Sequence, residues 1–284
     1  MNHLQRAARF KELHYRPGIF VLANAWDGAS ARLLENMGFD AIATTSAGMA
    51  FSIGKPDNPA KVNREDALRN AQQILDNTSI PVSADLMNGF GDSPEDCAVT
   101  IKLAAATGLS GASIEDASGG AQNPIYDFKL SVERVKAAVK AVRALNKPFM
   151  LTARAENYLH GRADLKDTID RLVAYAEVGA DVLFAPGIRS LEEIETLVKA
   201  VNPKPVNVLL SLEQNSYGLQ QLEEIGVKRI SLGSGLFRVA YAYLQETASQ
   251  FLPRDRQAGF VPTLQHGEYN ELFAKEVNAK TSAG

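Results

Sequence analysis

From residue 19 to residue 251 the chain repeats one hydrophobic pattern: a short apolar run, then a longer stretch with apolar residues at helical spacing. The apolar runs cover 19–23, 41–45, 81–84, 111–114, 148–152, 182–184, 205–209 and 230–232, and they read as strands. The helical stretches that follow them cover 27–37, 64–75, 94–106, 132–145, 165–178, 191–201, 218–225 and 237–251. The strands lack polar/apolar alternation, as expected where both faces are buried. Gly38, Gly179 and Gly226 follow three of the helices and suit left-handed C-caps that turn the chain into the next strand. Eight such units predict an α/β fold of the (β/α)8, TIM-barrel type. A doubly wound open sheet is the alternative, but it has no reason to stop at eight.

Two segments lie outside the repeat. Residues 1–14 predict a short amphipathic helix with Leu4, Ala7, Ala8 and Leu13 on its apolar side. Residues 252–284 form a C-terminal extension containing Pro253, Pro262 and one predicted helix at 267–277. The expected organisation is one barrel domain, 1–251, and an extension, 252–284, that packs on a neighbouring subunit.

Composition narrows the function classes. The 284 residues are 45% apolar and 22% charged, which is ordinary for a globular chain. A net charge of -3 gives no electrostatic footing for nucleic acid or an anionic membrane. Cys97 is the only cysteine, so no internal disulfide forms, and a reducing cytoplasm is the expected location. The first 16 residues are polar and mixed in charge, unlike a signal peptide. No apolar run reaches the roughly 18 residues of a membrane helix.

In a barrel of this kind the chemistry sits at the C-terminal ends of the strands. Those ends carry Asn24, Thr45 with Ser46, Asp85, Glu115, Arg154 with Glu156, Pro186 and Asn207, and Gly233-Ser234-Gly235. Asp85 and Glu115 each close an apolar run and precede a glycine-bearing loop. Each would serve alone as a helix N-cap, but two carboxylates in matching places suit a hard cation. Arg154 suits bidentate pairing with a carboxylate; Glu156, two residues on, would compete with it for the same partners. Gly233-Ser234-Gly235 before a helix could hold a phosphate, although such glycines also serve close packing. Asp57 reads by composition as a turn residue. The loop 116–128 is long, begins beside Glu115 and reads as a lid that excludes water. His3, His14, His160 and His266 show no metal spacing, and Cys97 falls inside a helix as a buried, inert thiol.

Taken in order, Asn24-Ala25-Trp26-Asp27-Gly28-Ala29-Ser30-Ala31, Thr44-Thr45-Ser46-Ala47-Gly48, Gly54-Lys55-Pro56-Asp57, Ala84-Asp85-Leu86-Met87-Asn88-Gly89-Phe90-Gly91, Ser113-Ile114-Glu115-Asp116 and Thr152-Ala153-Arg154-Ala155-Glu156 resemble the isocitrate lyase/phosphoenolpyruvate mutase superfamily. The resemblance implies Mg2+-dependent chemistry, with Mn2+ as a substitute, on a small 2-oxo acid through a pyruvate-type enolate. It makes Asp85 and Glu115 the metal ligands and gives the substrate carboxylate to Thr45, Ser46 and Ala47. Arg154 becomes a catalytic and substrate-binding group, and Asp57 a catalytic group near the metal. Asn207 and Asn123 are candidate substrate contacts. The resemblance also implies a homotetramer that exchanges its eighth helix.

Four departures bear on the reaction. Isocitrate and methylisocitrate lyases carry a Lys-Lys-Cys-Gly-His lid, whereas this lid has no cysteine, lysine or histidine. Phosphonate mutases carry a lysine and an asparagine in the lid, and here only Asn123 is present. Met87 stands where a second acid follows the metal aspartate, and Pro186-Gly187 replaces a polar group after the sixth strand. The expectation is a lyase that cleaves a C–C bond of a small 2-oxo or 2-hydroxy (di)carboxylate, similar to oxaloacetate decarboxylase or dimethylmalate lyase. A P–C bond mutase or hydrolase on phosphonopyruvate-type substrates is the alternative, and a silent 2-oxo acid binder is a third.

Overall fold

Eight parallel strands, hydrogen-bonded in chain order, close on themselves as a barrel. They are β1 (Phe20–Ala25), β2 (Ile42–Thr44), β3 (Val82–Asp85), β4 (Gly111–Glu115), β5 (Met150–Arg154), β6 (Val182–Phe184), β7 (Val206–Leu209) and β8 (Arg229–Ser231). The structure is a computed structural model and describes residues 1–210, 217–252 and 264–274. β8 returns to β1 with Phe20 opposite Arg229 and Leu22 opposite Ser231, so no strand edge is left unpaired.

The helices are α1 (His3–Tyr15), α2 (Gly28–Asn36), α3 (Ser46–Ser52), α4 (Arg64–Asp76), α5 (Pro94–Ala106), α6 (Phe128–Arg143), α7 (Leu165–Val178), α8 (Leu191–Val201), α9 (Leu219–Glu224), α10 (Gly235–Ser249) and α11 (His266–Ala274). α5, α7 and α8 span the residues their periodicity predicts, because local signals bound them. Ser93 and Asp96 cap each other's backbone at the start of α5, with Pro94 in its first turn. α7 starts at the Asp164 cap and stops at Gly179, whose φ of 108° admits a C-cap that a side chain would strain. Gly38 and Gly226 have the same left-handed backbone, as expected.

Elsewhere tertiary contacts redraw the elements. α1 plugs the N-terminal end of the barrel, where Phe10 and Leu13 pack with Phe20, Leu22, Ala41, Ala43, Met150 and Val182. Its buried face is therefore Arg6, Ala7, Phe10, Leu13 and His14, while the expected Leu4 and Ala8 face outward. The glycine-bearing loop after β2 contains α3, whose start is capped by Thr45. α6 begins four residues before its apolar pattern does, because Asp127 caps it by accepting from the Leu130 N–H. α11 covers most of the helix expected in the extension; Pro253, Pro262 and the residues after 274 lie outside the described residues. Among the described residues no helix is long and apolar enough to cross a membrane.

Candidate active site

Asp85, Glu115 and Arg154 are the last residues of β3, β4 and β5, and Glu115 lies directly beside Arg154 in the sheet. Neither acid caps a helix, since Ser93 caps α5 and Asp127 caps α6. Both carboxylates are thus free to face the barrel mouth. The Arg154 guanidinium lies between them, with Nη1 at 3.1 Å from Asp85 Oδ1 and 3.1 Å from Glu115 Oε2. Its Nε and Nη2 donate to Glu156 Oε1 at 2.9 and 2.7 Å. Two residues apart on a continuing strand, Arg154 and Glu156 would have competed for partners. β5 ends at Arg154, however, and Glu156 opens a 3-10 turn, Asn157–His160, that folds its carboxylate back onto the guanidinium.

Asp57 joins this group from the loop after α3. Its Oδ2 accepts from Ser46 Oγ at 3.5 Å, while the Ser46 N–H donates to Asp85 Oδ2 at 3.4 Å. By surface area Asp57 is exposed, yet the pocket walls crowd it. That partial loss of water, then repulsion from Asp85, pushes its pKa up to about 6. Burial also raises Glu115 well above the usual carboxylate range, with Arg154 pulling the other way. Glu156 is raised for the same reasons, and the carboxylates in turn hold Arg154 firmly protonated.

Three carboxylates therefore contact one guanidinium and Asp57 stands nearby, an excess of acidic groups that a divalent cation would offset. The donors suit a hard ion, being all oxygen. Among the described residues no group of three or more His, Cys, Asp or Glu converges on one point. Two carboxylates with remaining positions left to water and substrate oxygens is how Mg2+ is commonly held, and zinc would need more. The residues present fit Mg2+ on those grounds.

Over the ring stands a cavity of about 580 Å3, bounded by Ser46, Asp57, Met87, Glu115, Arg154 and Glu156 below and by lid residues such as Ala117, Gly119 and Pro124 above. The lid is a folded loop, pinned by an antiparallel bridge between Ala117 and Ile125 and by the Ser118 N–H donating to Pro124 O at 2.8 Å. The cavity also takes in Asn58, Pro59, Leu159 and His160, which the strand pattern did not single out. The available signal was topological: Leu159 and His160 follow the end of β5, and loops after strand ends line the mouth.

The other expected contacts divide. Ser46 lines the cavity; Thr45 is buried and caps α3 through a 3.3 Å bond from the Gly48 N–H, and Ala47 sits in the first turn of that helix. Asn207 is not at a strand end, because β7 runs on to Leu209. Its amide donates to Ser231 Oγ at 2.9 Å and accepts from Arg229 Nε at 2.8 Å, and it lines a small cavity inside the barrel together with Asp85 and Arg154. Asn123 is exposed and lines a groove with Asp92 and Arg162, outside the active-site cavity. At Gly233-Ser234-Gly235 the backbone N–H groups of Leu232 and Gly233 both donate to Asn24 Oδ1 at 2.9 Å, so this turn is closed by Asn24. Cys97 is buried as expected, and burial lifts its thiol to about 11.

The profile of the phosphoenolpyruvate phosphomutase family matches residues 10–252. The chain belongs to the isocitrate lyase/phosphoenolpyruvate mutase superfamily. A chain of Burkholderia cenocepacia J2315, provisionally described as a lyase/mutase, is 48% identical, covers 96% of this chain and 97% of its own length, and superposes with a TM-score of 0.91. Oxaloacetate acetylhydrolase, solved with the product oxalate, is 26% identical over 95% of this chain and 94% of its own, with a TM-score of 0.85. A 2,3-dimethylmalate lyase of the same superfamily is 26% identical over 94% of both chains, with a TM-score of 0.84. The present chain is accordingly an enzyme of this superfamily's lyase type.

The loop 116–128 packs against the loop that carries Asp57. Gly119 has a φ of +74°, and a Cβ there would lie 2.6 Å from Pro59 Cγ. A side chain at 119 meets both backbone strain of about 1–2 kcal/mol and a clash. Gly119→Ala is expected to hold the lid off the mouth and lower kcat about tenfold, which corresponds to about 1.4 kcal/mol in the barrier. Thermal denaturation should place its melting temperature near that of the wild type.

Proposed function

We propose that the enzyme is a Mg2+-dependent lyase, with Mn2+ as a substitute, that cleaves a C–C bond of a small 2-oxo or 2-hydroxy (di)carboxylate through a pyruvate-type enolate. The observation that carries this reading is the pair Asp85 and Glu115, uncapped and overcharged, with Arg154 between them at 3.1 Å from each. Bound there, the ion supplies a Lewis acid to the oxo and carboxylate oxygens of the substrate. Arg154 is placed to hydrogen-bond an oxygen on which negative charge develops. Ser46 and its neighbours Thr45 and Ala47 orient the substrate carboxylate. Asp57, raised to about 6, holds or takes a proton near neutrality, and the lid keeps water out.

If Asp57 accepts the proton of a 2-hydroxy acid, only its ionised form works. The value of kcat/KM should then rise with pH through about 6. A cation nearby favours the ionised form, so in the Mg2+-loaded enzyme that rise should lie below this value, and going from subsaturating to saturating Mg2+ should move it lower. Asp57→Asn should abolish the inflection in the pH profile.

Oxaloacetate acetylhydrolase and 2,3-dimethylmalate lyase among the relatives support C–C chemistry, while the matching phosphomutase profile is what keeps a P–C reaction as the alternative. The lid, which carries no lysine, arginine or histidine, gives a phosphonate little to bind. Pyruvate release should be assayed with Mg2+ on oxaloacetate, 2-methylmalates, methylisocitrate and phosphonopyruvate, with EDTA as the control. EDTA-sensitive pyruvate release from one of the phosphorus-free acids supports the reading; turnover of phosphonopyruvate alone, to pyruvate and phosphate or, by phosphorus NMR, to phosphoenolpyruvate, overturns it.

We also infer a homo-oligomer, with a tetramer that exchanges α10 as the specific form. Of the residues of α10 only Gly235 and Phe237 are buried. Tyr243 and Leu244 stand 55% and 60% exposed on it, large apolar surface that a second copy would cover. A monomeric mass by light scattering would refute this part.

A further inference from the structure

We propose that Arg171 and Tyr175 of α7 are positioning residues that lock the lid to Arg154 through the Asp116 carboxylate. Asp116 is the first residue of the lid and is 2% exposed. Its Oδ2 accepts from Arg171 Nη1 at 3.1 Å and from the Tyr175 hydroxyl at 2.9 Å. Its Oδ1 accepts from the backbone N–H of Glu156 at 2.8 Å. Glu156 is the residue whose carboxylate holds the Arg154 guanidinium. One carboxylate thus joins α7 to the turn that aims the central cation of the site.

The same guanidinium holds the far end of the lid. Arg171 Nη1 also donates to Tyr126 O at 3.0 Å and to Ser131 Oγ at 3.2 Å, while its Nε donates to Asp167 at 2.8 Å. The Tyr126 N–H donates in turn to Asp116 O at 2.9 Å, closing the two ends of the lid against each other. Lid closure and the aim of Arg154 therefore share one buried node. A displacement of Asp116 moves both, and an error of about 1 Å in a reacting group's position is worth roughly a hundredfold in rate.

The kinetic arm rests on the function proposed above, so the test pairs it with hydrogen–deuterium exchange, which needs no substrate. Tyr175→Phe removes one hydroxyl and leaves the ion pair, and Arg171→Lys keeps the charge but cannot reach both lid ends. The expected result for Tyr175→Phe is a kcat about tenfold lower with KM changed less than about threefold; for Arg171→Lys the fall in kcat is nearer a hundredfold, the span seen for supporting residues. Exchange should quicken in 116–128 and in 154–160 together, with the rest of the barrel as in the wild type. Quickening in the lid alone, in neither segment, or evenly across the barrel would each overturn the linkage, the last by showing a plain structural staple. Unchanged kcat in both variants would overturn it too. Should the wild type turn over none of the assayed acids, the functional reading falls, and the two-segment exchange pattern still decides the linkage.

Discussion

Asp85→Ala is expected to lose essentially all Mg2+-dependent turnover while the barrel stays folded. The carboxylate ends β3 at the mouth and, among the described residues, bonds to Arg154, the Ser46 N–H and the Met87 N–H, none of which holds the barrel closed. Removing it leaves Glu115 as the one carboxylate at the end of a neighbouring strand. A Lewis acid contributes several kcal/mol at the transition state, so turnover should fall about a thousandfold or more. Divalent-ion titration by calorimetry should show the matching loss of affinity. Near-normal EDTA-sensitive turnover in this variant would move the metal elsewhere.

Arg154→Ala carries the second large effect, and its sign depends on pH. The substitution strips Asp85, Glu115 and Glu156 of their shared partner. Breaking a buried pair by removing one member destabilises by about 3–5 kcal/mol. Burial already raises the folded-state pKa of Glu115 and Glu156 above their unfolded values. Such groups favour folding at low pH and disfavour it as pH rises and they ionise. The drop in melting temperature should therefore be largest near pH 8 and shrink toward pH 5, and added Mg2+ should recover part of it. Turnover should fall as well, with a higher KM and a lower kcat, by roughly a hundredfold to a thousandfold together. Full activity would remove Arg154 from the site.

α5, α7 and α8 were readable because an N-cap, a periodic apolar stripe and, for α7, a terminal glycine all act within a few residues of one another. The α1 face was not readable: Leu4 is as apolar as Leu13, and only the end of the barrel decides which one is covered. In the same way only the packed barrel shows that Asn207 is held by Ser231 and Arg229 and shares a small cavity with Asp85 and Arg154.

By itself the sequence determined eight strand–helix units, and with them that Asp85, Glu115 and Arg154 end neighbouring strands. Those properties follow from local hydrogen bonding and from the connectivity of a parallel barrel. Only the tertiary structure decided that Glu156 folds back on Arg154, that Asp57 and His160 reach the cavity, and that Asn123 turns away from it. These depend on where a loop goes after its strand ends. That direction is set by contacts such as Asp116 with Glu156 and Gly119 with Pro59, whose partners lie tens of residues apart and leave no periodic trace in the chain.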